Sequence, residues 1–162
     1  MTTKEKEQQY RLMLAQAASL TEGCPLPLPA LANCAALLWS SLEQINWAGF
    51  YLLRQITLYL GPFQGKTACT VIPVGRGVCG TAVAEGCVQR VADVHAFPGH
   101  IACDSASRSE IVLPLMKDGV CFGVLDIDSP VAARFDEVDE AGLSALCGSL
   151  MTMTDWTGGL LG

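Results

Sequence analysis

Three cysteines stand among glycines and charges rather than in apolar runs: Cys69 in GKTAC, Cys79 in GRGVCG and Cys103 in GHIACD. A thiol beside basic side chains and glycine-rich backbone is a candidate thiolate, and thiolates act as nucleophiles and redox centres. Downstream, VLDID places Asp126 and Asp128 two residues apart in a strand-like segment. Both carboxylates then project to one face, while Leu125 and Ile127 turn to the other, toward a core. At a solvated strand end such a pair is ordinary. In a pocket the two repel, and one keeps its proton near neutral pH. Glu110, at the start of the preceding strand-like run, is placed to join them. A protonated carboxyl can donate to a substrate oxygen, so thiol and carboxyls together read as cysteine redox chemistry on a small molecule.

Cys103 is flanked by His100, Asp104, Arg108 and Glu110. Its bland reading is a half-buried loop thiol; its functional reading needs exposure and a stabilised thiolate. The other cysteines form no CxxC pair. His100 and Cys103, with His95 or Cys79, fall short of the four closed ligands of a structural zinc site, so neither metal nor cofactor is expected. Gly75-x-Gly77-x-x-Gly80 matches a dinucleotide fingerprint in letters only. That motif opens a βαβ unit with an acidic residue about 20 positions on, whereas here a short helix, TAVAEG, lies in a meander. A tight backbone approach around a ligand explains the glycines as well. Trp47, Phe50 and Tyr51 are core strand residues by default, but Trp47 and Tyr51 share a face and can wall an apolar pocket.

The elements that must position these residues follow from periodicity. Residues 3–20 carry a helical stripe (Tyr10, Met13, Leu14, Ala17) behind a capping box at Thr2 and Glu5. The proline-rich segment 23–29 is expected to be a loop, followed by a helix over 30–44 with Leu31, Cys34, Ala35, Leu38 and Leu42 on one stripe; Cys34 packs as a small hydrophobe. From Trp47 the period becomes that of strands: WAGFYLL, ITLYL, ACTVI, CVQRV, EIVLPLM and VCFGVLDID. Asp118-Gly119 turns the last two into a hairpin. Asp136 caps a final helix over 136–155. Residues 92–109, with Pro98 and Gly99, show no period and have the length of a binding loop or lid. The expected fold class is α+β: about six strands in a largely antiparallel sheet, flanked by N-terminal and C-terminal helices.

At 162 residues the chain has the length of one domain with a real core, its residues 51% hydrophobic. A net charge of −6 with scattered basic residues argues against nucleic acid. No apolar run spans a bilayer, and the charged start lacks the apolar region of a signal peptide, so no membrane partner and a cytoplasmic location are expected. In that compartment thiols stay reduced.

In this order and spacing, NWAGFYLL, LGPFQGKTAC, PVGRGVCGTA, GHIACD, SEIVLPL and GVLDIDS resemble the free methionine-(R)-sulfoxide reductases, a GAF-domain enzyme family. The match spans about residues 46–136, the catalytic core of a single GAF domain over 1–162, with helices 1–44 before it and 136–155 after it. The resemblance implies that Cys103 attacks the sulfoxide sulfur of free methionine-(R)-sulfoxide and becomes a sulfenic acid as methionine leaves. Cys69 would resolve it as a disulfide, and thioredoxin would reduce that disulfide. Cys79 matches an auxiliary or alternative resolving cysteine. Glu110, Asp126 and Asp128 match the acidic cluster that protonates the sulfoxide oxygen and holds the substrate ammonium. Trp47 and Tyr51 match positions at the S-methyl end, and backbone N–H groups near Ala102 and Cys103 would take the substrate carboxylate. Enclosure by the 92–109 loop would exclude peptide-bound substrate.

Cys87 has no matching role and reads as a strand residue. Segment 24–29 and the N-terminal helix depart from the family, leaving any homodimer geometry open. A non-enzymatic GAF sensor would normally carry an output domain. A thiol peroxidase using Cys103 and Cys69 would not need the carboxylates.

Overall fold

A computed structural model describes residues 1–101 and 105–162 of the chain. The first helix, α1 (Thr3–Thr21), begins at the capping box: Thr2 Oγ1 accepts from the Glu5 N–H while Glu5 reaches back to the Thr2 N–H. The second, α2, spans Pro27–Ser41, so residues 23–26 form the expected loop while Pro27 and Pro29 instead start the helix. Pro27 occupies the first turn, where a missing N–H costs nothing and a fixed φ is already helical. Its stripe is otherwise as expected, and Cys34 is buried, its thiol pushed up to about 12 by burial and therefore inert.

Strands β1 (Trp47–Arg54), β2 (Thr57–Gly65) and β3 (Val71–Pro73) lead to α3 (Gly77–Glu85) and β4 (Gln89–Val91). A single 3₁₀ turn at Val94–Ala96 follows, within the segment read as a loop. Strands β5 (Ser109–Lys117) and β6 (Val120–Ser129) then precede α4 (Glu137–Met153). The six strands form one antiparallel sheet in the order β3-β2-β1-β6-β5-β4, as the α+β reading expects. Asp118 and Gly119 take φ of 51° and 77°, the pair of positive values that a two-residue hairpin turn requires.

Alternation along β1, β5 and β6 divides the sheet into two faces. Phe50, Ile111, Leu113, Leu125 and Ile127 pack under α1, α2 and α4 in the main core. Burial of each such side chain contributes about 1.5–3 kcal/mol. Trp47, Tyr51, Val112 and Val124 rise on the other face against α3. That second face is less completely filled, and the chemistry lies there.

Two of the GxGxxG glycines have a local cause. A side chain at Gly80 would stand 2.6 Å from the Pro73 carbonyl oxygen, and Gly75 N–H donates to Gly80 O at 2.9 Å. At Gly75 and Gly80 the close approach is thus between β3 and α3 themselves. The strands on either side of α3, β3 and β4, lie at opposite edges of the antiparallel sheet, so no βαβ unit exists here. The helix also begins at Gly77, earlier than TAVAEG suggested, which puts Cys79 in its first turn. Cys87 is exposed in the bend between α3 and β4, not in a strand.

Candidate active site

Register alone brings the acidic residues together. Strand β6 pairs with β1 on one side and β5 on the other, setting Trp47, Asp128 and Glu110 in one cross-strand row. The adjacent same-face row is Gly49, Asp126 and Val112, and the next is Tyr51, Val124 and Pro114. Residues two apart share a face, so three carboxyls and two aromatic rings rise together toward α3. Gly49 is required between the rings: a Cβ there would lie 2.8 Å from both Phe63 Cα and Trp47 Cη2. Without one, Trp47 stacks on Phe63 at 5.2 Å and on Tyr51 at 5.8 Å between ring centroids.

The cavity above this floor is completed by Cys79 from α3, Arg76 and Gly77 at the helix start, and Thr67 and Ala68 after β2. His100, Ile101 and Ser107 close it from the segment expected to be a lid. Glu110, Asp126, Asp128, Cys79, Trp47 and Tyr51, six of the nine predicted site residues, therefore line one cavity. Two more, Ala102 and Cys103, lie outside the described residues. Cys69 packs against the same aromatic cluster and is disulfide-bonded.

Burial governs the electrostatics. Glu110 and Asp126 are 6% and 5% exposed. Desolvation raises the Glu110 carboxyl well above its ordinary range, and the neighbouring charges of Asp126 and Asp128 add to the shift. Glu110 hydrogen-bonds to both aspartates. Burial raises Asp126 to about 6, restrained by hydrogen bonds from Glu110 and Cys79. The arrangement holds a proton on Glu110 and directs it at its neighbours. The Cys79 thiol is likewise driven up by burial and then by the carboxylates, so it stays protonated as a donor to Asp126. Among the described residues, one buried atom of the cluster, Asp126 Oδ1, has no hydrogen-bond partner. The site thus offers a proton source, acceptors suited to a cationic group, and an aromatic wall.

Among known proteins, the GAF domain profile matches residues 14–152. The free methionine-R-sulfoxide reductase of Escherichia coli is 64% identical over 123 residues, 76% of this chain and 74% of that protein. The fRMsr of Staphylococcus aureus, solved in complex with substrate, superposes with a TM-score of 0.86 at 53% identity, covering 90% of this chain and 95% of that one. The chain belongs to the GAF-domain free methionine-R-sulfoxide reductase family. A second member, that of Neisseria meningitidis in complex with its substrate, superposes with a TM-score of 0.88 at 48% identity over 91% of this chain and 89% of that one.

Within this family member, two features went unread in the sequence. His100 Nε2 lies 3.9 Å from Glu110 Oε1, with its basicity lowered by burial and then by His95. The GHIACD motif contained that histidine, but only the fold shows it facing Glu110. Trp47 and Tyr51, read as an apolar wall, also spend their polar tips on backbone: Trp47 Nε1 donates to Lys66 O at 3.1 Å and Tyr51 OH to Cys69 O at 2.9 Å. A signal existed, since a buried tryptophan or tyrosine generally needs a partner for its N–H or O–H. Among the described residues, Cys79, Glu110 and Asp126 form the one set placed to hold a metal ion, with ligand atoms within 4.8 Å of one another. To bind a cation, the thiol and the Glu110 carboxyl would first have to release their protons. No described helix is long and apolar enough to cross a membrane.

Proposed function

We propose that this chain reduces free L-methionine-(R)-sulfoxide to L-methionine. The observation that carries the reading is a buried carboxyl cluster in which burial raises Glu110 well above its ordinary range, set beneath an aromatic stack and beside a disulfide-bonded Cys69. Membership of a family whose named relatives carry this activity, two of them solved with substrate, supports it.

In this mechanism the Cys103 thiolate attacks the sulfoxide sulfur while Glu110 gives its proton to the sulfoxide oxygen. The attack forms a bond between the two sulfurs. The hydroxyl then passes from the methionine sulfur to Cys103 as both that bond and the S–O bond break. The S–O electron pair stays on the methionine sulfur, and the sulfur–sulfur pair makes the new S–O bond of the Cys103 sulfenic acid. The substrate sulfur is reduced by two electrons and the Cys103 sulfur is oxidised by two. Cys69 then attacks the sulfenic sulfur, water leaves, and an intramolecular Cys69–Cys103 disulfide forms. A thioredoxin-type dithiol reduces that disulfide by exchange. Asp126 and Asp128 accept the substrate ammonium, which satisfies the orphaned Asp126 Oδ1. The ring faces of Trp47 and Tyr51 hold the S-methyl end. The carboxylate meets backbone N–H groups near Ala102 and Cys103, a contact that only a free amino acid makes.

Incubation with free L-methionine-(R,S)-sulfoxide and a dithiol tests the reading. Loss of the R epimer alone, with methionine formed and the reaction abolished in Cys103→Ser, is the expected result. No methionine from either epimer would remove the enzyme reading and favour a ligand-binding GAF module. Comparable reduction of a sulfoxide-containing peptide would remove the free-substrate specificity.

Cys79 takes a different part from Cys69 in this scheme. Its buried, protonated thiol is a poor attacker in exchange, which proceeds through thiolates. A Cys79→Ala protein given one equivalent of substrate should still form the intramolecular disulfide, as seen by mass spectrometry after alkylation. A free Cys69 thiol in that oxidised product would instead assign the resolving step to Cys79.

A further inference from the structure

The segment that carries Cys69 leaves β2 at a glycine and crosses over the aromatic stack. Gly65 takes φ of 127°, and a Cβ there would lie 2.8 Å from Trp47 Cδ1 and 2.9 Å from the Asn46 carbonyl oxygen. Only a glycine lets the backbone pass this close to the indole. Beyond it, three successive fastenings fall on backbone carbonyls. Trp47 Nε1 holds Lys66 O at 3.1 Å, Tyr51 OH holds Cys69 O at 2.9 Å, and the Leu60 N–H holds Thr70 O at 3.0 Å. The first two donors sit on rings that are themselves locked, Trp47 between Phe63 and Tyr51. Both are nearly fully buried, so their grip on the segment is shielded from competing water. Burial and the nearby Asp126 charge keep the Tyr51 phenol protonated and therefore a donor.

We propose that Trp47 and Tyr51 are positioning residues for the second half of the reaction: in the reduced protein their polar tips keep the backbone of 66–69 where this structure, with Cys69 disulfide-bonded, shows it, so that Cys69 stands ready to resolve the oxidised thiol. The same two rings line the substrate cavity. Their faces therefore contact the substrate while their edges hold the resolving cysteine, joining the two steps in one pair of side chains. A loop free to wander would lose the alignment that makes an intramolecular attack fast. This rests on the reading of Cys103 as nucleophile and Cys69 as its resolving partner.

Tyr51→Phe keeps the ring and removes only the donor. Reduced protein is mixed with one equivalent of free methionine sulfoxide and quenched at intervals with dimedone, which traps sulfenic acid, or with an alkylating agent. In Tyr51→Phe the interval between methionine release and disulfide closure should lengthen about fivefold to tenfold, the weight of one neutral hydrogen bond, and the trapped sulfenic acid should rise accordingly. A merely structural loss would slow methionine release without raising that fraction. Disulfide closing as promptly after methionine release as in the wild type would overturn the proposal. Hydrogen exchange gives a second measure that needs no turnover: amides of 66–69 in reduced Tyr51→Phe should exchange faster than in the wild type, and unchanged exchange would overturn it as well. If the wild type itself yields neither methionine nor disulfide, the functional reading fails and the tether stands or falls on exchange alone.

Discussion

Glu110→Gln is expected to lower turnover about 10²–10⁴-fold, the usual weight of a positioned acid, and at the same time to raise the melting temperature above neutral pH. Glutamine keeps the shape and the hydrogen-bonding reach of the side chain but has no proton to give to a departing oxygen. The gain in stability follows from the same burial that makes the acid useful. In the unfolded chain a glutamic acid titrates near about 4.3, whereas in the fold burial and two neighbouring aspartates raise Glu110 well above that. Below the unfolded value the carboxyl is protonated in both states, its contribution to stability is whole, and the substitution is neutral. As pH rises the unfolded chain ionises while the folded chain does not, so the wild type loses stability until the folded carboxyl also titrates. Glutamine escapes that loss. Thermal melts at pH 4 and pH 8 should therefore show a variant advantage only at the higher pH. An advantage independent of pH would mean that Glu110 holds no extra proton, and a turnover loss below tenfold would remove it as the proton source.

How much of the site was legible in the sequence turns on register. Counting out from a two-residue hairpin at Asp118-Gly119 sets Glu110 opposite Ile127, on the core face. A bulge between Leu115 and Met116 shifts the ladder by one residue and brings Glu110 opposite Asp128, so the hairpin was legible but this pairing was not. The period of two then puts Asp126 on the same face. The pairing of β1 with β6, which adds Trp47 to that row, joins strands far apart in the chain, and no local pattern announces it. The placing of His100 and of the 66–69 segment depends on turns without periodicity, and these became visible only in three dimensions. The prolines of 27–29 misled for a related reason: the same residue that breaks a helix interior is well suited to its first turn. The burial of Asp139 was equally hidden, since an aspartate in the first turn of α4 reads as a solvated capping group.

Asp139→Asn should cost about 3–5 kcal/mol of folding free energy, as expected when one partner of a buried ion cluster is removed. Its carboxylate is fully buried and accepts from Tyr10 OH at 2.7 Å, Lys6 Nζ at 2.6 Å and the Asp136 N–H at 2.9 Å, with Arg134 Nη1 at 3.4 Å. Lys6 and Tyr10 belong to α1, so this one group fastens the first helix to the last. The Tyr10 ring lies so close to α4 that a Cβ at Gly142 would meet its Cγ at 2.2 Å, which leaves no room for a larger group or for relaxation. An asparagine still presents one oxygen to Tyr10, but its amide turns donor toward donor against Lys6, Arg134 or the Asp136 N–H. Arg134, its side chain only 11% exposed, then loses its ion-pair partner, and Lys6 is left with Asp136 alone at 2.9 Å. Because a domain's total stability is about 5–15 kcal/mol, urea unfolding should show a large fall in midpoint. Turnover per folded molecule should be retained, since α1 and α4 pack on the sheet face opposite the carboxyl cluster. A cost under 1 kcal/mol would mean that the ion cluster is replaceable and that apolar packing alone docks α1.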